Sequence, residues 1–262
     1  MNKALKEAKV HTSWINPNLA YEAAVRRFVE AVLDPGEGNA FLADLQPLRE
    51  RVAHFGAFNS LSQVTLKLAA PGVADLYQGT EVWDFSLVDP DNRRPVDYGA
   101  RARLLESIQR AIAARDGDLA SFARELVDRK EDSCLKLYAT HRALRARAEQ
   151  PTLFTRGGYV PLRAAGAQRR HVCAFARVAE GHAVVAAAPV LVVGLTRGAP
   201  VPPLGAAVWG DTWLMLPGAP GQTYRNLFTG EGLRAARVAG APALPLAEVF
   251  RHFPVALFRR EA

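Results

Sequence analysis

One short apolar run, Val73–Tyr77, stands alone among helical patterns, and it limits the fold more than any other feature of the first 150 residues. It follows the turn pair Pro71-Gly72 and has the length of one buried strand. A parallel strand needs partners reached by crossovers, and nothing else before residue 150 reads as a convincing second strand. A lone strand leaves its backbone donors and acceptors unpaired, so its partners are expected from another chain or another segment. The chain reads as incomplete.

The surrounding helices are easier to place. Asn16-Pro17-Asn18 offers an N-cap with proline in a first-turn position. Tyr21, Ala24, Val25, Phe28, Val29 and Val32 then recur at helical spacing until Asp34-Pro35-Gly36 stops them. Phe41–Phe55 carries a second stripe, and Phe58–Ala70 reads as a third helix, apolar on several sides and therefore buried. Asp97–Arg115 and Leu119–Ala148 continue the helical period, the latter with a break near Asp132-Ser133. The pattern changes at Gln150-Pro151. From there short apolar stretches alternate with glycine and proline turns: Tyr159–Leu162, His171–Arg177, Ala183–Ala188, Trp213–Leu216, Tyr224–Phe228, Ala243–Leu246 and Val255–Phe258. That spacing predicts an antiparallel sandwich, with a boundary near Glu149–Thr155 that divides the chain into residues 1–150 and 151–262.

Composition narrows the function. Hydrophobic residues are 49% of the chain, which predicts a packed core rather than disorder. A net charge of +7 could signal nucleic acid, but the arginines are scattered and no zinc-finger or RNA-binding pattern appears. No nucleic-acid partner is expected. No apolar run approaches the roughly 20 residues of a membrane span, and MNKALKEAKV lacks a secretory apolar stretch, so no membrane is expected either. Cys134 and Cys173 make no disulfide framework, and a reduced, cytoplasmic setting is the default. The six histidines show no metal-ligand spacing, and there is no GxGxxG, P-loop or G-x-S-x-G. No metal and no organic cofactor is implied.

The run Val73–Tyr77 leads into Gln78-Gly79-Thr80-Glu81 and a loop with Trp83, Asp84, Asp89, Asp91, Asn92, Arg93 and Arg94, stiffened by Pro90 and Pro95. A strand that delivers carboxylates, a tryptophan and arginines at its C-terminal end is how α/β barrels build sites. The plain alternative is an Asp–Arg pair that braces a long loop. Trp209 and Trp213, placed on predicted strands, read as core rather than as an exposed binding platform.

YQGTE-W and DPDNRRPVDY, within Tyr77–Tyr98, resemble the last barrel strand and following loop of the α-amylase superfamily. Within it, they resemble the maltooligosyl trehalose synthases. KVHTSWINPNLAYE, FGAFNSLSQVTLKLAAPGVADLYQGTE, GGYVPL, HVCAFAR, WGDTWLMLP and FPVALF extend the likeness in order over nearly the whole chain. The resemblance implies only the C-terminal portion of such an enzyme. The fold is then α+β by content: the last helices and last strand of a (β/α)8 barrel, followed by an antiparallel β-sandwich domain.

The implied activity converts the reducing-end α-1,4 linkage of a maltooligosaccharide into an α,α-1,1 linkage by intramolecular transglucosylation. The catalytic carboxylates of that chemistry would lie upstream, so none is assigned here and the chain alone is expected to be inactive. The implied partners are a maltooligosaccharide and the missing N-terminal barrel portion. Gln78, Glu81, Trp83, Asp91, Arg93 and Arg94 are the candidate substrate-binding residues, the arginines as forks for carboxylate or sugar hydroxyls. A rival of another class is a non-catalytic glucan-binding or assembly module. Another hydrolase of the superfamily fits the paired HTSWINPN and DPDNRRPVDY motifs less well.

Overall fold

The computed structural model describes residues 1–36 and 38–261, in two compact units, Met1–Ala53 and His54–Ala262.

The first unit contains helices α1 (Asn2–Ala8) and α2 (Leu19–Val32) and the beginning of α3 (Ala40–Ala69). Polar side chains make the turn into α2. The Thr12 hydroxyl donates to Glu22 Oε1 at 2.6 Å and accepts the Asn18 N–H at 2.9 Å, and Lys6 Nζ lies 3.4 Å from Glu22 Oε2. Asn18 caps α2 by accepting the Tyr21 N–H at 3.1 Å. Pro17 therefore precedes the helix instead of occupying its first turn, because the capping side chain is the second asparagine of the motif. Thr12 and Glu22 are buried, whereas no apolar side chain described in this unit is. The Glu22 carboxyl titrates below the usual carboxylate range, chiefly because Thr12 donates to its charged form, with Lys6 adding attraction against the opposing effect of burial.

A carboxyl depressed in the folded state stabilises above its unfolded pKa, and that contribution is lost as pH falls through the folded pKa. Acidification is therefore expected to loosen the 9–18 turn first. Carboxyl NMR of Glu22 with amide exchange at Asn18 and Tyr21 checks this, and a Glu22 midpoint at or above that of free glutamate would contradict it.

Phe41–Phe55 and Phe58–Ala70 are one helix, not two. Glycine inside a helix costs about 0.5–1 kcal/mol relative to alanine. Burying Phe55, Phe58 and Leu61 on either side of Gly56 gains more, roughly 1.5–3 kcal/mol for each large apolar side chain.

In the second unit, the rest of α3 is followed by residues 70–97, irregular except for a 3-10 turn at Asp91–Arg93. Val73–Tyr77 forms no strand. No backbone–backbone hydrogen bond among the described residues involves Val73, Ala74, Asp75 or Leu76, and Val73 is 99% exposed. A strand exists only through pairing, and none of the described residues pairs with this run. Helices α4 (Tyr98–Ala113), α5 (Ala120–Asp128), α6 (Cys134–Glu149) and α7 (Pro151–Arg156) follow, with the break between α5 and α6 where Asp132-Ser133 predicts it.

Beyond α7 come β1 (Gly158–Pro161), β2 (Ala164–Ala165), β3 (Val172–Ala179), β4 (His182–Pro189), α8 (Val192–Leu195) and α9 (Gly205–Trp209). Then follow β5 (Trp213–Met215), β6 (Thr223–Asn226), β7 (Gly232–Arg234), β8 (Ala236–Val238), β9 (Ala241–Pro245), α10 (Leu246–Val249) and β10 (Ala256–Arg260). The strands make a six-stranded sheet, β1-β3-β4-β10-β6-β7, and a four-stranded sheet, β2-β5-β9-β8. Every described pairing is antiparallel.

The centre of the larger sheet is covered on both faces. Ala174, Ala176, Val185, Ala187 and Phe258 share a core with Leu214 and Leu244 of the smaller sheet. Phe175, Val184, Ala186 and Leu257 point the other way, into a core with Leu61, Phe122 and Tyr138 of the helices. Period-two alternation sends consecutive residues to opposite cores, which is why these strands are apolar throughout instead of alternating. Trp209 ends α9 rather than lying on a strand. It is fully buried, stacks on Phe250 at 4.8 Å, and its indole N–H donates to the Pro203 carbonyl at 2.9 Å.

Two arginines hold the end of α3. Arg147 donates to the carbonyls of Leu68 (2.6 Å) and Gly72 (2.9 Å), and its guanidinium lies 5.2 Å from the Phe154 ring centroid. Arg177, on β3, is 1% exposed and donates to the carbonyls of Gly157 (2.7 Å) and Ala69 (3.4 Å). Neither forms an ion pair among the described residues. Carbonyls at a helix C-terminus carry partial negative charge, and the guanidiniums satisfy them.

Candidate functional site

The loop that carries the predicted site is closed at its neck by a residue absent from the predicted set. Arg101, in the first turns of α4, donates to the Glu81 carboxylate at 3.2 Å, to the Gly79 carbonyl at 2.8 Å and to the Asp97 carbonyl at 3.1 Å. One planar guanidinium thus ties both ends of the loop together, a geometry its fork of donors suits. α4 starts where it does because Asp97 caps it, accepting the Ala100 N–H at 2.8 Å. Gly79 has φ +92, a conformation that favours glycine, and a side chain there would press on Val96 and Arg101. The available signal was the spacing of the cap, Asp97, and Arg101 one helical turn later.

Of the six candidates, Gln78 is exposed beside this neck. Glu81 is half-buried and committed to Arg101. Trp83 turns inward: its N–H donates to the Lys130 carbonyl at 2.9 Å, its ring packs on the apolar core, and the Lys136 ammonium lies 5.7 Å from the ring centroid. Lys136 also donates to the Val82 carbonyl at 3.2 Å, and burial lowers its pKa. The tip is polar and braced from within. Asp91 accepts the Leu87 N–H at 2.8 Å and pairs with Arg94, while Arg93 pairs with Asp89 at 2.6 Å. Asp84 accepts from the Ser86 hydroxyl and N–H, and these two hydrogen bonds hold its carboxyl below the usual range.

The structure therefore brings Asp91 and Arg94 together, sets Arg93 beside them on Asp89, and separates Trp83 into a packing role. Arg93 and Arg94 remain largely exposed, as do Phe85, Leu87 and Val88. Exposed ion pairs add little to stability, typically about 0.2–1 kcal/mol, so the pairing fixes direction more than it holds the fold. Chemically, the tip offers two guanidiniums to hydroxyls or carboxylates and no buried acid. Among the described residues no group of His, Cys, Asp and Glu could hold a metal. Cys134 and Cys173 are free thiols. A groove of about 650 Å³, lined by Asn59, Gln63, Leu66, His171 and Leu191, is formed by none of the six candidates.

No family model matches the chain. A Mycobacterium tuberculosis protein provisionally named maltooligosyl trehalose synthase, found alike in strains CDC 1551 and H37Rv, is 33% identical over 259 residues, 99% of this chain. The solved maltooligosyltrehalose synthase of Arthrobacter ramosus is 35% identical and superposes over 99% of this chain with a TM-score of 0.76. This chain is similar throughout to part of a maltooligosyl trehalose synthase. It spans 27% of the mycobacterial protein and 29% of the Arthrobacter one. Another solved maltooligosyl trehalose synthase, 24% identical, matches 99% of this chain and 29% of its own at a TM-score of 0.65, and speaks for the fold alone. The likeness read from the motif string is thus found again in both sequence and structure, across mixed helix and sheet. Among the described residues no helix is long and apolar enough to cross a membrane.

Proposed function

We propose that this chain is the C-terminal part of an enzyme of the maltooligosyl trehalose synthase type, working in the cytoplasm. The whole enzyme would convert the reducing-end α-1,4 linkage of a maltooligosaccharide to an α,α-1,1 linkage. The observation that carries this reading is the likeness over 99% of the chain at 33–35% identity to relatives more than three times as long. In this reading residues 1–150 supply the closing helices of a (β/α)8 barrel, and residues 151–262 its C-terminal β-sandwich. Val73–Tyr77 would be a barrel strand whose neighbours lie in the upstream portion, which suits a run that is apolar yet unpaired.

Glycosyl transfer needs a nucleophile and an acid on opposite sides of one bond, held by a rigid frame. The exposed acids of the loop are engaged with arginine, serine and backbone partners, so the chain's contribution is binding and not bond cleavage. Arg93 and Arg94 would donate to sugar hydroxyls, Asp91 would aim Arg94, and Gln78 would bind beside the neck that Glu81 holds. Trp83 would support the loop from beneath.

The test is product analysis with maltopentaose. The chain alone is expected to form no trehalose linkage, and the chain mixed with the upstream portion of such an enzyme is expected to form it. Trehalose-capped product from the chain alone would overturn the division of labour. Glucan affinity without turnover in the mixture would favour a binding module instead.

A further inference from the structure

The groove beside α3 has no part in the reading above, yet it is built from both layers of the second unit. One wall is the exposed side of α3, with Asn59, Gln63 and Leu66, and the other is the link from β4 to α8, with Leu191 and Val193. The buried Ser62 hydroxyl donates to the Pro189 carbonyl at 2.8 Å and fixes one wall to the other. The His171 ring lies against Gly194, where a Cβ would come within 3.1 Å of its Cε1. Its Nδ1 is 3.3 Å from the Val190 carbonyl. A carbonyl only accepts, so Nδ1 carries the proton and Nε2 serves as acceptor in the neutral ring. At about 650 Å³ the groove falls within the range of small-molecule sites, roughly 300–1,000 Å³.

Leu191 sets the groove apart from an ordinary surface furrow. It has φ 53 and ψ 44, a conformation in which leucine is strained and glycine is not. Packing gives nothing in return, because Leu191 is 69% exposed, and its neighbour Val193 is 42% exposed. Strain of this kind gathers at sites where a side chain must be held in one place. The lining narrows what would fit there. No lysine, arginine, aspartate or glutamate lines the groove, so nothing in it holds an ionic ligand. The Asn59 and Gln63 side-chain amides, one helical turn apart, make no hydrogen bond to another described residue. An amide both donates and accepts, as a sugar hydroxyl does, and the apolar rim suits the C–H face of a pyranose ring. We infer that this groove is a second binding site, separate from the Tyr77–Tyr98 loop, for a neutral α-1,4-linked glucan. The amides and His171 Nε2 would hold hydroxyls while Leu191 and Val193 cover the ring face. The choice of glucan rests on the functional reading above, in which the reaction touches only the reducing end and leaves the rest of the chain free to be held elsewhere.

The experiment titrates maltotriose into the 262-residue chain and follows side-chain amide and His171 ring signals by NMR. Saturable shifts in the millimolar range are expected at Asn59, Gln63 and His171. Lactose, a neutral sugar without an α-1,4-glucosyl link, is expected to bind at least about fivefold more weakly, and Asn59→Ala with Gln63→Ala to weaken maltotriose by at least as much, the worth of one or two hydrogen bonds. Leu191→Gly separates binding from folding. It is expected to weaken binding about threefold or more while leaving the melting temperature unchanged or higher, since relief of strain offsets the freedom glycine adds to the unfolded chain. Arg93→Ala, in the loop, is expected to leave the groove shifts in place. Absence of saturable shifts at the three groove residues, binding that survives the double alanine variant, or lactose binding as tightly as maltotriose would overturn the inference. So would a Leu191→Gly chain that melts lower and binds as before, since the leucine would then be packing alone. Groove binding without turnover in the assembled enzyme keeps the site and removes the enzymatic reading. Turnover without groove binding does the reverse.

Discussion

Arg177→Ala is expected to cost the chain about 3–5 kcal/mol of stability, one of the larger losses available from a single side chain. The guanidinium is 1% exposed and is the partner of the Gly157 and Ala69 carbonyls. The buried Ala69 carbonyl left unpaired costs roughly 1–3 kcal/mol and the part-buried Gly157 carbonyl less, while truncating a long buried side chain adds a cavity. One effect opposes the loss: burial and the nearby Arg147 both lower the Arg177 pKa, so removing the charge relieves strain. That relief is expected to be smaller than the loss of the two hydrogen bonds and of the packed side chain. Arg177→Met separates the contributions. It refills most of the volume but leaves both carbonyls orphaned, so about half the loss should return. Urea melts of the three proteins measure this. A loss under about 1 kcal/mol in Arg177→Ala would mean that water replaces the guanidinium at no cost and that the clamp is incidental.

The second large effect is on turnover. In the assembled enzyme, Arg93→Ala is expected to slow conversion of maltopentaose about 10- to 100-fold, the worth of one or two charge-assisted hydrogen bonds. Its ion pair with Asp89 is mostly exposed, so stability should scarcely move, and a loss of turnover then reports on the substrate and not on the fold. Arg93→Lys should recover little, since an ammonium cannot reproduce a planar two-point contact. Product formation by the alanine and lysine variants, each with the upstream portion supplied, measures it. Wild-type turnover in Arg93→Ala would remove the loop tip from the site.

The pairing of Arg93 with Asp89, rather than with Asp91, marks how far the sequence could be read. Its composition announces a loop rich in acids and arginines, but which carboxylate each fork takes depends on the path around Pro90 and the Asp91–Arg93 turn. Arg101 lay outside the motif on the following helix, and only the folded chain brings it to Gly79 and Glu81. Local periodicity served better. The seven strands expected after Gln150 are all present. β2, β7 and β8 were not anticipated, being two or three residues long with no alternation to detect. Periodicity failed at Val73–Tyr77 for a different reason: an apolar run reads alike whether its partners are present or not. It also split α3 at Gly56, where packing on both sides outweighs a residue that disfavours helix. The compact units divide at Ala53, a place at which the sequence shows no change of pattern.

The doubly covered sheet bears on how such chains can be shuffled. A lineage exchanges segments freely where a junction leaves each half its own interior. Near residue 150 the secondary structure changes type, which makes the position attractive for gene fusion or chimaera building. Yet Phe228, Phe253 and Leu257, from beyond that point, share one interior with Phe122 and Tyr138 from before it. The Tyr138 hydroxyl donates across the junction to the Phe228 carbonyl, and burial pushes its pKa up to about 12. A crossover there mates two surfaces that never adapted to each other. Segments ending at Ala179 or beginning at Gly240 would face the same mismatch, since β3, β4 and β10 contribute to both interiors. Within residues 54–261 the heritable block is therefore the helices and sheets together.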